Sequence, residues 1–149
     1  MHLCMDYRDL NRITIKGKYP LSVIEDLVDQ QDGANYFMKI DPSSCHHQIR
    51  IALEDIEKIA FRTRYGGYKW LVLSFGLTSA PGTFSCLGNE LFREFLDVFV
   101  IICMDDLLVY SCTLHDHMDH VWEALTILRQ HKLYAIPEKC GFLVSKIQT

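Results

Sequence analysis

The chain has 149 residues, with 19 acidic and 15 basic side chains and a formal net charge of −4 at pH 7. This length allows one domain or at most two small ones, and a hydrophobic fraction of 49% predicts a globular core and excludes a largely disordered chain. The sequence contains neither an apolar run long enough to span a membrane nor a signal-peptide pattern, so we expect an intracellular protein of unspecified compartment. The six cysteines have no paired spacing, which indicates free thiols.

The first half of the chain is predicted to be mainly extended. Residues 1–20 are expected to form an extended arm, and Leu21–Gln31 has the apolar spacing of a helix. The aromatic and apolar run Tyr36–Asp41 predicts a strand, because the proline that follows cannot continue a central ladder. Alternation predicts another strand at Gln48–Ala52, and Gly66-Gly67 is typical of a hairpin turn.

The second half alternates between helices and one hairpin. Ser79-Ala80-Pro81 predicts a helix start, since proline suits the first turn, and the helix is expected to continue to about Phe95. Strands are expected at Val98–Cys103 and Leu107–Ser111, followed by a helix from about Leu114 to His131. This order of elements predicts an α+β fold.

Two adjacent aspartates, Asp105 and Asp106, interrupt the apolar run Ile101–Tyr110. Buried carboxylates without partners would cost several kcal/mol each, so these two must face water, a strong partner or a cation. A hairpin with this step at its tip presents both carboxylates at one edge of a sheet. Oxygen ligands presented together suit Mg²⁺ or Mn²⁺. The alternative is a pair of solvated turn residues, because aspartate favours turns.

A third carboxylate, Asp41, has the same setting at the end of the strand Tyr36–Asp41. If this strand lies beside the Asp105-Asp106 hairpin, three carboxylates converge. Such a cluster is stable around divalent cations or with raised pKa values. Two metal ions bridged by carboxylates are a standard arrangement for phosphoryl transfer.

The order of motifs resembles the reverse transcriptase of gypsy-type LTR retrotransposons and, more distantly, that of retroviruses. The resemblance extends over essentially the whole chain, and its motifs are Cys4–Asn11, Tyr19–Leu21, Lys39–Asp41, His47–Ile51, Lys58–Gly66, Phe75–Pro81, Met104–Asp106, Lys132–Ala135 and Lys139-Cys140.

The resemblance implies an α+β fold of the right-hand polymerase palm type, an antiparallel sheet backed by helices, with partial fingers and no thumb. Residues 1–149 are expected to form a single domain fragment. In it, residues 1–35 and 45–74 are expected to be fingers-like, and residues 36–44 and 75–149 palm-like. The match stops before the family's primer-gripping hairpin, so we expect a truncated domain whose partners include the remaining domains of a retroelement polyprotein.

The resemblance also implies roles for individual residues. Asp41, Asp105 and Asp106 match the catalytic aspartates, which hold two Mg²⁺ (or Mn²⁺) ions, with Asp41 and Asp105 as the principal ligands. The implied substrates are a dNTP and an RNA or DNA template–primer. The residues implied to bind the dNTP are Pro42, Ser44, Cys45, His46, Phe75 and Gly76, and those implied to contact nucleic acid are Arg8, Cys103 and Met104.

Several positions depart from the family pattern. His46 replaces an aromatic ring that excludes a ribose 2′-hydroxyl, Cys45 replaces a glycine, and Cys103 replaces an aromatic residue before the Met-Asp-Asp step. His2 stands where the family has an arginine that grips the triphosphate. The sequence therefore predicts an RNA-directed DNA polymerase domain of doubtful activity. The alternative is a catalytically silent retroelement remnant that serves at most as a weak nucleic-acid-binding or structural module.

Overall fold

The computed structural model describes residues 5–17, 33–41, 45–103 and 106–144. Within these ranges the chain forms a four-stranded sheet, a separate two-stranded hairpin and three α-helices. The helices are α1 (Arg8–Ile13), α2 (Ala80–Leu91) and α3 (Leu114–Gln130). The strands are β1 (Tyr36–Ile40), β2 (Phe61–Thr63), β3 (Gly66–Tyr68), β4 (Val100–Cys103), β5 (Asp106–Ser111) and β6 (Gly141–Val144). Short 3₁₀ helices lie at Cys45–Gln48, Leu53–Ile59 and Pro137–Lys139.

The main sheet has the strand order β4-β5-β1-β6, and each neighbouring pair is antiparallel. β1 is therefore a central strand although it comes first in the sequence. Its register against β5 pairs Tyr36 with Ser111 and Ile40 with Leu107. Because antiparallel pairing brings the end of β1 to the start of β5, the residues just after Ile40 and at the beginning of β5 lie at the same edge of the sheet.

The sheet is buried on both faces. Successive side chains of a strand point to opposite faces. One face supplies Ile40, Val100, Leu107 and Val109 to the larger core, which also contains Phe92, Ala124 and Leu128. The other face carries a smaller cluster of Phe37, Ile101, Leu108 and Tyr110. Burial of both faces explains why β5 has an almost continuous apolar sequence and not an alternating one.

The two long helices pack on the face with the larger core. Pro81 lies in the first turn of α2, as predicted, where its missing N–H costs no helical hydrogen bond. Gly88 allows close approach to β4, since a Cβ at this position would lie 3.2 Å from the Ile102 side chain. Thr113 caps α3, because its Oγ1 accepts a hydrogen bond of 3.2 Å from the Asp116 N–H. None of the helices in the described ranges combines the length and apolarity needed to cross a membrane.

The N-terminal segment departs from the prediction of an extended arm. Arg8–Ile13 is a helix of 6 residues, and the Asp6 carboxylate accepts a hydrogen bond of 3.1 Å from the Arg8 N–H at its start. The Tyr7 hydroxyl donates to the Ile59 carbonyl at 3.1 Å. The arm prediction was therefore wrong over this stretch, because the Asp6 hydrogen bond to the Arg8 backbone and the long-range Tyr7 contact together stabilise a helix too short to persist alone. The helix predicted at Leu21–Gln31 lies outside the described residues.

The predicted strand at Gln48–Ala52 was also wrong. The segment pairs only through an isolated bridge between Arg50 and Val72, flanked by two backbone hydrogen bonds to the Leu71–Leu73 region. Gln48 belongs to a 3₁₀ helix, and its side chain exchanges two hydrogen bonds with the Tyr134 backbone. The alternating pattern therefore corresponds to a segment that contacts Val72 and Tyr134 and not to a regular strand.

The short hairpin is present, but its turn was misplaced. The register pairs Thr63 with Gly66, so Arg64 and Tyr65 form the turn and both glycines belong to β3. Thr63 Oγ1 accepts a hydrogen bond of 3.1 Å from the Tyr65 N–H, which closes the turn. Gly66 has φ = +140°, a conformation that suits glycine. Positive φ is therefore needed directly after the turn.

Candidate active site

Asp41 and Asp106 lie at the same edge of the main sheet. β1 ends at Ile40, which pairs with Leu107, and Asp106 is the first residue of β5. Extension of this register by one residue brings Asp41 opposite Asp106, so both side chains belong to the same face. Their side chains are 24% and 22% exposed, so both carboxylates can reach solvent.

The Asp106 carboxylate is paired with a lysine from the neighbouring strand. Lys39 Nζ lies 2.8 Å from Asp106 Oδ2. The hydrogen bond with Asp106 raises the pKa of Lys39 above its usual value against the opposing effect of burial, and the charges of Asp106 and Asp41 add to the rise. Lys39 therefore stays an ammonium ion, and it belongs to the same face as Asp41, two residues further along the strand.

Asp41 has a second lysine close by and a backbone restraint. Lys139 Nζ lies 3.9 Å from Asp41 Oδ2, within ion-pair range but beyond a hydrogen bond. The Ile136 N–H donates to the Asp41 carbonyl at 3.4 Å. The segment that leads into β6 therefore packs against the end of β1 and brings a positive charge to this edge.

The donor set at this edge suits a hard divalent cation. Two carboxylates from adjacent strand ends, both open to solvent, are the oxygen ligands that Mg²⁺ and Mn²⁺ prefer. The predicted third carboxylate, Asp105, lies outside the described residues, as does Met104. Among the described residues, no group of three or more His, Cys, Asp or Glu side chains is arranged to hold a metal ion. Within the part of the chain that the structure describes, Asp41 and Asp106 are therefore candidate ligands and not a complete metal site.

The residues predicted to bind a dNTP are described in part. Pro42 and Ser44 lie outside the described residues, and for Cys45 and His46 the structure gives only a place at the start of the 3₁₀ helix Cys45–Gln48. Phe75 is partly exposed, and its ring meets the His47 ring edge-on at a centroid distance of 5.1 Å. His47 also stacks on Trp70 at 6.0 Å. An aromatic group therefore connects this helix to the loop that contains Phe75.

Sequence reasoning missed the residue that fixes the predicted nucleotide loop. Asn11 of α1 donates to the Gly76 carbonyl at 2.6 Å and accepts from the Thr78 N–H at 2.9 Å. Gly76 itself has φ = +93°, a backbone conformation that glycine adopts without the strain a side chain would add. Asn11 occurs within the Cys4–Asn11 motif, but nothing in the local sequence indicates a partner 65 residues away.

The residues predicted to contact nucleic acid have other surroundings in the structure. The Arg8 guanidinium forms a bidentate pair with Asp6, with Nε donating to Oδ1 at 2.9 Å and Nη2 donating to Oδ2 at 2.6 Å, and this hydrogen bonding lowers the pKa of Asp6 to about 2. Cys103 is only 3% exposed and offers almost no surface to nucleic acid. Burial raises the pKa of its thiol, and the negative charge of Asp106 adds to this effect.

Lys39 and Lys139 were not predicted as site residues. For Lys39 a signal existed, because residues i and i+2 of a strand share a face and Lys39 precedes Asp41 by two residues. For Lys139 no such signal exists, since its approach to Asp41 depends on the pairing of β6 with β1.

The whole chain, residues 1–149, matches the family model described as reverse transcriptase (RNA-dependent DNA polymerase). The chain belongs to the reverse transcriptase family. The predicted assignment to this family is thereby confirmed, while the gypsy-type subdivision stays a prediction.

Relatives of this reverse transcriptase domain include proteins of very different length. An RNA-directed DNA polymerase homolog of Oenothera berteroana is 42% identical over 135 residues, which are 89% of this chain and 92% of that protein. The retrovirus-related Pol polyprotein from transposon 297 of Drosophila melanogaster is 34% identical over 93% of this chain and 13% of its own length. The transposon Tf2-3 polyprotein of Schizosaccharomyces pombe is 32% identical over 99% of this chain and 11% of its own length. The chain therefore spans a small part of the polyproteins that it matches.

Solved structures confirm the predicted fold class. A foamy viral protease-reverse transcriptase in complex with double-stranded DNA superposes with a TM-score of 0.83 at 18% identity, over 95% of this chain and 25% of that chain. The same viral enzyme in complex with an RNA/DNA hybrid gives a TM-score of 0.80 at 17% identity, over 97% of this chain and 19% of that chain. The reverse transcriptase domain thus has the α+β palm-like fold that its motif order predicts.

Proposed function

We propose that this reverse transcriptase domain carries out two-metal nucleotidyl transfer from a dNTP to a primer 3′-hydroxyl on an RNA or DNA template. The observation that carries the proposal is the meeting of Asp41 and Asp106 at one edge of adjacent strands. Asp105 immediately precedes Asp106 in the sequence, and we propose it as the third carboxylate of the site.

The proposed ions are two Mg²⁺ (or Mn²⁺), with Asp41 and Asp105 as principal ligands and Asp106 beside them. Held there, such ions would supply the chemistry of two-metal sites, which is a lowered pKa for the primer 3′-hydroxyl and a stabilised leaving pyrophosphate. The chain contributes fixed geometry, because β1 and β5 hold the two described carboxylates in register. Catalysis of phosphoryl transfer consists mostly of such positioning and of electrostatic stabilisation.

The substrate contacts follow the resemblance. We assign the dNTP to the stretch after β1, including Pro42, Ser44, Cys45 and His46, and to the loop of Phe75 and Gly76. Support comes from the aromatic contact that joins His47 to Phe75 and from the hydrogen bonds of Asn11 to the same loop. We assign residues 1–35 and 45–74 to the fingers and residues 36–44 and 75–149 to the palm.

The wider context of the domain is a further part of the proposal. Two of the relatives are polyproteins of transposons, which supports a retrotransposon origin, and we assign the chain to the gypsy-type LTR elements on its motifs. The partners would then be a template–primer and the remaining domains of a polyprotein. Arg8 and Met104 stay candidates for contact with nucleic acid.

Binding of Mn²⁺ tests the metal site directly. We expect weak binding to the 149-residue chain, observable by electron paramagnetic resonance, because hard carboxylate sites retain water ligands and depend on substrate phosphates for full coordination. Asp41→Asn should weaken this binding by about tenfold or more. The matched control is Asp119→Asn on the exposed side of α3, which should leave the affinity unchanged. Equal affinity of the native chain and the Asp41→Asn variant would contradict the proposal.

A second candidate, a catalytically silent remnant, is favoured by one structural observation. Cys103, at the position where the family has an aromatic residue, is buried and cannot serve as a contact surface. The departures from the family pattern at Cys45 and His46 also favour a silent remnant. Both candidates allow metal binding, so primer extension, and not metal affinity, distinguishes them.

A further inference from the structure

Lys39 has a contact that the proposed two-metal mechanism does not use. Its Nζ lies 2.8 Å from Asp106 Oδ2, at a distance typical of a charge-assisted hydrogen bond. We propose that Lys39 is a positioning residue, which holds the Asp106 carboxylate and neutralises its charge, so that Asp106 does not serve as a principal ligand of the metal site. This inference rests on the proposed function and assigns distinct roles to carboxylates of the same site.

The contact between Lys39 and Asp106 follows from the pairing of β1 with β5. Lys39 pairs with Leu108, and Asp106 lies two residues before Leu108 on β5, so the lysine crosses diagonally to its partner on the same face. Both side chains are partly shielded, with exposures of 37% for Lys39 and 22% for Asp106. A pair anchored at two central strands loses less side-chain entropy on contact than a pair of freely rotating surface groups.

The two described carboxylates differ in how closely a lysine approaches them. Lys139 Nζ stays 3.9 Å from Asp41, whereas Lys39 is in direct contact with Asp106. An ammonium in contact with a carboxylate occupies one of its oxygens and offsets its charge, which weakens it as a ligand for a cation. Asp41 keeps more of its capacity to bind a metal ion. The two lysines thus leave Asp41 available as a metal ligand and keep Asp106 in an ion pair.

A metal-free experiment tests the contact itself. Lys39→Met and Asp106→Asn, alone and together, form a double-mutant cycle measured by urea unfolding. For a partly buried pair we expect a coupling of about two- to fivefold in the unfolding equilibrium constant. Lys39→Arg should keep part of this coupling, because it preserves the positive charge. Additive effects of the two substitutions would overturn the proposal.

Mn²⁺ affinity of the same variants tests the assigned role. Lys39→Met should tighten binding by about tenfold, because it releases the Asp106 carboxylate. The double variant Lys39→Met/Asp106→Asn replaces one neutral pair by another, so its affinity should stay within about twofold of the native chain. Lys139→Met is the matched control, since it removes the same charge without touching Asp106, and the effect of Asp106→Asn should be the same with and without it.

The possible failures are distinguishable. If the double variant binds Mn²⁺ at least about tenfold more weakly than the native chain, Asp106 is a true ligand and the role of Lys39 is overturned, while the metal site stands. If Asp41→Asn leaves Mn²⁺ affinity unchanged, the proposed metal site itself is wrong, and the role of Lys39 is overturned with it.

Discussion

At the scale of single residues, Ser111 joins two histidines between β5 and α3. Its Oγ lies 3.1 Å from His117 Nδ1 and 2.8 Å from His120 Nδ1. One hydroxyl carries one proton, so Ser111 can donate to one ring and accept from the N–H of the other. The His120 ring also stacks on Phe99 at a centroid distance of 4.1 Å. This buried group attaches the last long helix to the strand that begins with Asp106.

His117 should make the stability of the fold depend on pH. It is 1% exposed, and burial lowers its pKa below the usual histidine value of 6.5, with a further contribution from His120. Near pH 6.5, His117 therefore binds a proton more readily in the unfolded chain than in the folded one. As the pH falls through about 6.5, the free energy of unfolding should decrease, and above that value this contribution should be fully present.

Urea unfolding at several pH values between 5.5 and 7.5 checks this prediction. His117→Asn, which retains a polar atom near the Nδ1 position, should reduce the pH dependence in this window. The control is His115→Asn, because His115 is exposed and pairs only loosely with Asp119 at 3.6 Å. An unchanged slope in the His117→Asn variant would assign the pH dependence to other groups.

Candidate site residues could be proposed from the sequence where the local pattern carries the signal. Asp41 and Asp106 stand out because each carboxylate borders an apolar strand, a pattern that fits either a functional edge or solvated turn residues. Lys39 was predictable in principle from strand periodicity. Asn11 and Lys139 were not, since their contacts with Gly76 and Asp41 depend on which segments of the chain meet in space.

At the scale of elements, α3 depends on its N-terminal cap. Thr113 Oγ1 accepts from the Asp116 N–H at 3.2 Å, and the same hydroxyl donates to Asp116 Oδ2 at 2.7 Å. These contacts satisfy a backbone donor that the first turn leaves without a helical partner. Asp116 also places a negative charge near the positive end of the helix dipole.

Loss of the cap should be measurable. Thr113→Ala is expected to lower the free energy of unfolding by about 1 kcal/mol. The control, Thr126→Ala, removes a hydroxyl of the same helix that bonds back to the Trp122 carbonyl at 2.8 Å. It should be neutral or slightly stabilising, because alanine has the higher helix propensity. Thermal or urea unfolding of the two variants checks the difference, and equal losses would show that Thr113 acts otherwise than as a cap.

Helices with strong apolar periodicity were predicted correctly from the sequence. Elements whose existence depends on contacts with distant segments of the chain were not. The helices that begin at Ala80 and Leu114 were found because apolar positions recur at helical spacing over several turns. β6 was not predicted, since four residues carry too weak a pattern and their pairing with β1 depends on the folded sheet. α1 was missed because its stability comes from Asp6 and from the contact of Tyr7 with the 3₁₀ helix Leu53–Ile59.

At the scale of the whole molecule, we expect the 149-residue chain to extend a primer poorly if the proposed function holds, and not at all if it is a silent remnant. A net charge of −4 gives no general attraction to a phosphate backbone. Arg8 is engaged by Asp6, and Arg12 lies 3.2 Å from Asp9, so the acidic neighbours offset these positive charges. The substitutions at His2 and His46 should weaken the hold on the incoming nucleotide as well.

Primer extension on an RNA template with dNTPs and Mg²⁺ or Mn²⁺ measures the outcome. Any synthesis should be weak and should fall by about a thousandfold in Asp105→Asn, because a metal ligand contributes several kcal/mol to the transition state. Robust, processive synthesis that Asp105→Asn abolishes would show that the departures from the family pattern matter less than proposed. A complete absence of synthesis by the native chain would favour the silent remnant.

The position of β6 has a consequence for the behaviour of the whole domain. Pairing with Gly141–Val144 turns β1 from an edge strand into an interior one. An uncovered edge exposes a row of unpaired N–H and C=O groups that recruits strands from other molecules. Without these four residues, β1 would be the edge strand of the sheet, and its unpaired backbone groups would be open to pairing with other molecules. The pairing of β6 therefore leaves the strand that leads to Asp41 one strand away from the edge of the sheet.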